Sequence, residues 1–271
     1  MGNNNQTYDA IVLGSGMSGG WAAKELTENG LKTLVIESGR DVKHLKDYPT
    51  TNMMPWEFEH RGKVPIEIKN QDKSLNNHYI LTEEHLHFIK KDAEQEYISD
   101  KPFDWIRGDQ VGGRSLLWAR QTQRWSDFDF TGPLRDGFAV DWPIRYSDLA
   151  PWYSHVEKFI GIAGNKDGLE VLPDGEFLPP FEMTCLEKHF QEKVAANYTG
   201  RNVISARVAN LSKPEPIHLQ HVRAQCQDRN LCSRGCPFGV YFSSNSSTIP
   251  LAEKTGNLTM LTNSIVHSIV Y

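Results

Sequence analysis

The stretch Tyr8-Asp9-Ala10-Ile11-Val12-Leu13-Gly14-Ser15-Gly16-Met17-Ser18-Gly19 runs from a short apolar segment straight into three spaced glycines. Tyr8 to Leu13 reads as a short buried strand, and a helix follows from Gly20 to Asn29 with Ala22, Ala23 and Leu26 on its apolar face. Gly30 suits the helix C-terminal cap, and Lys32-Thr33-Leu34-Val35-Ile36 forms a second buried strand ending at Glu37. A strand, a crossover helix and a second strand make a βαβ unit, which requires the two strands to be parallel.

Gly14, Gly16 and Gly19 stand where dinucleotide-binding physics needs them. The first permits a tight turn, and the second lets a diphosphate approach the backbone. The third lets helix and strand pack closely, while the helix N-terminal amides of Met17 and Ser18 face the anion. A carboxylate at Glu37 can accept hydrogen bonds from ribose hydroxyls, and its charge disfavours a 2′-phosphate. This motif alone does not separate FAD from NAD.

Composition sets outer bounds. With 39% hydrophobic and 23% charged residues, the 271-residue chain is an ordinary globular α/β protein rather than a disordered or fibrous one. A formal net charge of −5 argues against nucleic acid or an anionic membrane as the main partner. No apolar run approaches the roughly 20 residues of a transmembrane helix, and residues 1–7 lack the pattern of a secretory signal. The expected compartment is the cytoplasm, or the periplasm if the chain is exported with a partner.

Further along, the residues from Ser38 to Trp105 are polar and poorly periodic, with His85-Leu86-His87-Phe88-Ile89 as a candidate strand. A helix is expected over Asp148 to Ile160, with Ser147 as N-cap and Gly161 as its stop. Leu149, Trp152, Tyr153, Val156, Phe159 and Ile160 would form its apolar face. Thr184-Cys185-Leu186-Glu187 forms a capping box that predicts a helix to about Tyr198. The Pro-rich segment Leu172 to Phe181 reads as an irregular connection, and Ser243 to Ser247 as a loop. Ser264 to Tyr271 reads as a strand with no polar tail after it, so the chain is expected to be the N-terminal part of a longer protein, with a genuine C-terminal strand as the alternative. The sequons at Asn197, Asn210, Asn245 and Asn257 are expected to be incidental in the absence of a signal.

Asp109-Gln110-Val111-Gly112-Gly113-Arg114-Ser115-Leu116-Leu117-Trp118 carries a second glycine pair. This segment resembles the flavin-binding stretch of the glucose-methanol-choline (GMC) oxidoreductases, in which the pair lies against the diphosphate and isoalloxazine of FAD. The run Val111 to Phe130, the Asp141-Trp142-Pro143-Ile144 stretch with Trp152-Tyr153, and Cys232-Ser233-Arg234-Gly235-Cys236-Pro237 resemble sugar-oxidising members. Those members include pyranose oxidases and glucoside 3-dehydrogenase catalytic subunits. Asn257 to Thr262 with Val266 resembles the strand pair that cradles adenine.

The resemblance implies an α/β fold: a Rossmann-like FAD-binding domain with part of a second, substrate-binding domain. The implied boundaries are 1–145 for the first part of the FAD domain and 146–245 for the partial substrate domain, with a return to the FAD domain at 246–271. Implied cofactor contacts are Gly14, Gly16, Met17, Ser18, Gly19, Glu37, Ser38, Arg40, Gly112, Gly113, Ser115, Trp118, Ala119 and Val266. The implied reaction oxidises a CH–OH group of a sugar or glycoside by hydride transfer to flavin N5, with a small subunit and a cytochrome acceptor as candidate partners. Family members carry their catalytic base beyond this point in the sequence, so no catalytic residue is assigned and the chain alone is expected to be inactive. The alternative is a non-catalytic FAD-binding scaffold completed by a partner chain. Some relatives attach FAD through a histidine just before the tryptophan of the glycine-pair motif. Leu117 holds that position here, so the flavin is expected to be non-covalent. The aromatics between Phe103 and Trp152 are expected to pack mostly in cores, with a sugar-binding wall as the alternative.

Cys226, Cys232 and Cys236 leave three readings open. Thiolates at this spacing suit an iron–sulfur cluster, favoured by Arg223, Arg229 and Arg234 nearby. They also suit plain buried thiols, or a zinc site completed by His218 or His221.

Overall fold

A computed structural model describes residues 6–72, 75–76, 82–94, 97–220 and 222–270. The first glycine motif sits in a βαβ unit: β1 (Ala10–Leu13), α1 (Met17–Glu28) and β2 (Thr33–Ile36). A later strand, β5 (Leu258–Leu261), adds to β2, so the sheet order is β1-β2-β5 with both pairs parallel. The register aligns Val12 with Val35 and Val35 with Met260 across the three strands. Those residues share one face with Ala23 of α1 and Ala252 of α4 (Thr248–Lys254), and together they form the core of this layer.

Among the described residues, helices cover only that face. Ile11 and Leu13 of β1, expected to be buried, are 61% and 53% exposed, and Leu261 of β5 is 49% exposed. Side chains alternate across a strand, so these residues share the face opposite Val12 and Met260.

The glycine spacing has a steric origin. A Cβ on Gly19 would lie 2.0 Å from the Gly14 carbonyl oxygen, so α1 can seat against the β1 turn only with glycine there. Gly14 itself has φ +85°, a conformation that costs other residues roughly 1 kcal/mol or more. Gly16 differs: its φ is −66°, and a Cβ there would meet nothing within 4 Å.

The chain forms two compact units. One comprises Met1–Trp118, Asp228–Gly239 and Ser243–Tyr271, and the other Ala119–Gln227 with Val240–Phe242. In the first, the candidate strand at His85–Ile89 is instead a 3-10 helix over Glu83–Phe88, with Thr82 and His85 hydrogen-bonded at its start. His85 and Phe88 are its buried residues, and a spacing of three fits the 3-10 repeat rather than strand alternation. Residues 264–270 form no strand and are mostly exposed, since no neighbouring strand pairs with them among the described residues. Tyr271 lies outside the described residues.

The second unit is organised around buried arginines. Helix α2 (Tyr146–Ile160) presents Glu157 to Arg124, whose Nε and Nη2 donate to the two carboxylate oxygens at 2.8 and 2.6 Å. This ion pair holds the Arg124 guanidinium well above its ordinary pKa. Arg207 is 2% exposed, donates to Asp174 and to the Pro173 carbonyl, and lies over the Phe177 ring. Helix α2 begins two residues before the expected start because Arg145, not Ser147, caps it: its N–H donates to the Asp148 carboxylate. Gly161 ends the helix at φ +72°. Only its C-terminal half is buried, at Glu157, Phe159 and Ile160; Trp152, expected on the buried face, is 65% exposed.

β3 (Ile162–Ala163) pairs with β4 (Phe177–Leu178), a strand inside the Pro-rich segment read as irregular. Helix α3 (Cys185–Asn197) follows the Thr184 capping box as expected. Among the aromatics, Phe130 is buried, while Trp125 and Trp142 pack on it and on each other and remain half exposed, against the expectation of core packing.

Two substitutions separate the roles of the glycines. Gly19→Ala is expected to destabilise the chain by about 1–3 kcal/mol through overpacking. Gly16→Ala should cost less than about 1 kcal/mol, the scale of a change at a helix N-cap. Urea unfolding of both variants checks this, and equal losses would refute the steric account.

Candidate functional site

The first glycine motif, the end of β2 and the second glycine pair converge within the first unit. Ser15 joins them. Its N–H and hydroxyl donate to the Glu37 carboxylate at 2.8 and 2.5 Å, and its Oγ accepts the Gly112 N–H at 3.1 Å. Glu37 is 5% exposed and also accepts the Gly39 N–H at 3.0 Å. A carboxylate this buried is tolerable because these donors satisfy it.

Gly112 and Gly113 have φ +88° and +48°, and a 3-10 turn over Gly113–Leu116 follows them. A Cβ on Gly113 would lie 3.4 Å from the Gly16 Cα, so the two glycine motifs lie against each other. Ser115 Oγ donates to the Gly112 carbonyl at 2.6 Å and accepts the Ser244 N–H at 3.0 Å, while Ser244 Oγ donates to the Gly16 carbonyl at 3.1 Å. The open space beside Gly16, with the first-turn amides of Met17, Ser18 and Gly19 following it, is a cradle that a side chain would fill. The donor chemistry and the missing Cβ fit a diphosphate.

Beyond Glu37, the backbone at Ser38–Arg40 runs beside the exit of β5. The Asn263 N–H donates to the Gly39 carbonyl and the Ser264 N–H to the Glu37 carbonyl. Ser38, Arg40, His87, Lys90, Asp109 and Asn263 help line a cavity of about 410 Å³ here. A Cβ on Gly39 would lie 2.1 Å from the Asp109 carbonyl, so this glycine is a steric requirement too. Burial works against ionised Asp109, yet hydrogen bonds from Ser38 and Lys90 hold its carboxyl below the usual range. His87 is pushed down to about 4, first by burial and then by Arg40 and His85, and neither ring nitrogen has a hydrogen-bond partner.

Trp118 closes the first unit and Ala119 opens the second. Val266 lies two residues past Ser264 and is 37% exposed. Leu117 packs against Val42, Tyr48, Phe88 and Leu116, so its side chain serves the core.

Among the described residues, no three His, Cys, Asp or Glu side chains form a metal-holding group, so the cluster reading of Cys226, Cys232 and Cys236 gains no support. The arginines read as cluster-stabilising are engaged elsewhere. Arg223 donates to the Ile160 and Val240 carbonyls, Arg229 to the Thr51 carbonyl, and Arg234 to Glu84 and the Met53 carbonyl. The zinc alternative fails at His218, whose Nδ1 accepts the Glu215 N–H while Nε2 faces the Lys158 carbonyl at 2.9 Å. His221 lies outside the described residues.

Ser243–Ser247, read as a loop, instead holds a 3-10 turn over Ser244–Ser246. Ser243 to Thr248 are all 4% exposed or less and pack beneath both glycine motifs. A Cβ on Gly20 would meet Ser244 Oγ and Thr248 Oγ1, both at 2.7 Å. Six small polar residues in a row resemble a surface turn by composition. The one signal of burial is their position just ahead of the apolar Ile249 to Ala252 segment.

His87 yields a pH test. Its folded pKa of about 4 lies below the ordinary 6.5, so the stabilisation it contributes is complete above pH 6.5 and is lost as pH falls through 4. His87→Phe should therefore gain roughly 1–2 kcal/mol on the wild type between pH 7.5 and 4.5, allowing for partial solvent screening. Urea unfolding at both pH values measures it; a difference that does not change with pH would refute the assignment.

No family model matches the chain. It is 24% identical to the fructose dehydrogenase large subunit of Gluconobacter japonicus over 276 residues, covering 99% of this chain and 47% of that protein. It is 24% identical to the gluconate 2-dehydrogenase flavoprotein of Pantoea cypripedii over 90% of this chain and 42% of that protein. With the 6'''-hydroxyparomomycin C oxidase of Streptomyces lividus, 26% identity extends over 60% of this chain and 24% of that protein. A crystal structure of pyridoxine 4-oxidase from Mesorbium loti superposes with a TM-score of 0.47 at 17% identity, covering 95% of this chain and 42% of that one. The chain thus spans less than half the length of these relatives. Among the described residues, no helix is long and apolar enough to cross a membrane. The chain is a distant relative of the GMC oxidoreductases.

Proposed function

We propose that this chain is the FAD-binding part of an oxidoreductase that acts on a CH–OH group of a sugar or glycoside. One observation carries the reading: the two glycine motifs lie against each other at Gly16 and Gly113, beside an unfilled cradle and a buried ribose-type carboxylate at Glu37. A fold that binds only NAD has no evident use for the second pair at that place. In this reading the first unit is the Rossmann-like FAD domain and the second belongs to the substrate domain.

The residues divide the cofactor between them. Gly16 and the amides of Met17, Ser18 and Gly19 face the diphosphate, and Glu37 accepts from the ribose hydroxyls. The cavity at Ser38 and Arg40 takes the adenosine end, and Val266 is a further contact in this reading. Gly112, Gly113 and Ser115 border the flavin side, continued by Trp118 and Ala119. When bound, FAD supplies the hydride acceptor for alcohol oxidation. Leu117 offers no nucleophile, so the cofactor is held without a covalent bond. The base that removes the hydroxyl proton is not assigned to this chain.

Further polypeptide completes the enzyme in this proposal. The exposed apolar face of Ile11, Leu13 and Leu261 supports it, because such a face in water is unfavourable by about 25 cal/mol per Å². The Gluconobacter relative is a large subunit, which supports a partner subunit as well. The names of the fructose, gluconate and paromomycin relatives support a carbohydrate or related polyol as substrate.

Flavin binding tests the proposal. Gly16→Val should abolish FAD binding with little loss of fold stability, because its side chain would fill the diphosphate space. Glu37→Ala should weaken binding by about 1–3 kcal/mol. Fluorescence titration measures both, and a valine variant that binds FAD as the wild type does would overturn the site. Acid treatment of the loaded protein should release all flavin; flavin fluorescence that migrates with the denatured chain would contradict the role given to Leu117.

A further inference from the structure

Asn245 has no part in the binding residues named above, yet its amide sits at their centre. It is 4% exposed, and its Nδ2 donates to the Val42 carbonyl at 2.6 Å and the Val111 carbonyl at 3.0 Å. These bonds tie the chain leaving β2 to the chain entering the second glycine pair. The amide orientation is determined chemically, since the reverse would set Oδ1 against two carbonyl oxygens.

Oδ1 itself is buried with no hydrogen-bond partner, an unfavourable arrangement that needs a reason. A Cβ on Gly112 would lie 1.7 Å from this oxygen. Asn245 thus occupies the space that any side chain at Gly112 would take. On its other side Gly112 is held by its N–H to Ser15 Oγ, and Gly113 rests on Gly16. The left-handed pair is caught between Asn245 and the first glycine motif.

We propose that Asn245 is a positioning residue for the cofactor: it sets the conformation of Gly112–Gly113 against the Gly14–Gly19 turn and so fixes where that loop meets the flavin. The inference rests on the FAD reading above. Asn245 does not touch the reacting atoms; it acts through Gly112.

A double-mutant cycle tests it, with FAD affinity measured on the flavin-free chain for the wild type, Asn245→Ala, Gly112→Ala and the pair. Each single change should weaken FAD at least 10-fold. The double variant should lose less than the product of the two, because removing Oδ1 leaves room for the Gly112→Ala methyl group. The visible absorption bands of bound FAD should shift in Asn245→Ala, which a purely structural role would not cause. If Asn245→Ala does not fold, Asn245→Ser takes its place in the cycle. Losses that multiply, with unshifted bands, would overturn the proposal. If the wild type binds no FAD, the flavin reading itself falls, and the same cycle read in unfolding midpoints decides the contact: sub-additive shifts support positioning by Asn245, and additive shifts refute it.

Discussion

The Ser15 hydroxyl holds three separate pieces of the chain at one point. It donates to Glu37 at the end of β2, accepts from Gly112 of the second glycine pair, and stands in the turn between β1 and α1. Residues 15, 37 and 112 are far apart in sequence, and all three are buried. A buried carboxylate needs donors, and a left-handed glycine pair needs an acceptor for its N–H. One serine meets both needs, and the cradle beside Gly16 follows from that meeting.

The glycines around this point serve different physical ends. Gly19 and Gly39 are steric, pressed against the carbonyls of Gly14 and Asp109. Gly14 and Gly112 supply positive φ. Gly16 alone has neither constraint, and a glycine with free space and ordinary φ is the one whose identity a ligand best explains. The buried polar run Ser243–Thr248 forms the floor under these turns, so the site is backed by hydroxyls and amides where most cores would be apolar.

Much of this was legible in the sequence where local rules dominate. The βαβ unit follows from apolar runs and glycine spacing, the Gly161 stop from the left-handed cap, and α3 from the Thr184 capping box. Features set by distant contacts were not legible. The 3-10 turn at Glu83–Phe88 has too short a period to separate from a strand by hydropathy. Whether Ile11 and Leu13 are buried depends on what covers the sheet, not on β1. The Ser243–Thr248 run looks like a loop until the Ser244 hydroxyl is seen bonding Gly16 and the Asn245 amide bonding Val111. The cysteine spacing leaves a cluster, plain thiols or zinc open; among the described residues no metal-holding group forms, and Arg223, Arg229 and Arg234 donate to carbonyls and Glu84.

The central claim is that the two glycine motifs together form a site for FAD. Calorimetric titration of the flavin-free chain with FAD, and separately with NAD⁺, tests it most directly. The account predicts saturable binding of FAD with quenched flavin fluorescence, and no binding heat from NAD⁺. Saturable binding of NAD⁺ with none of FAD would contradict it.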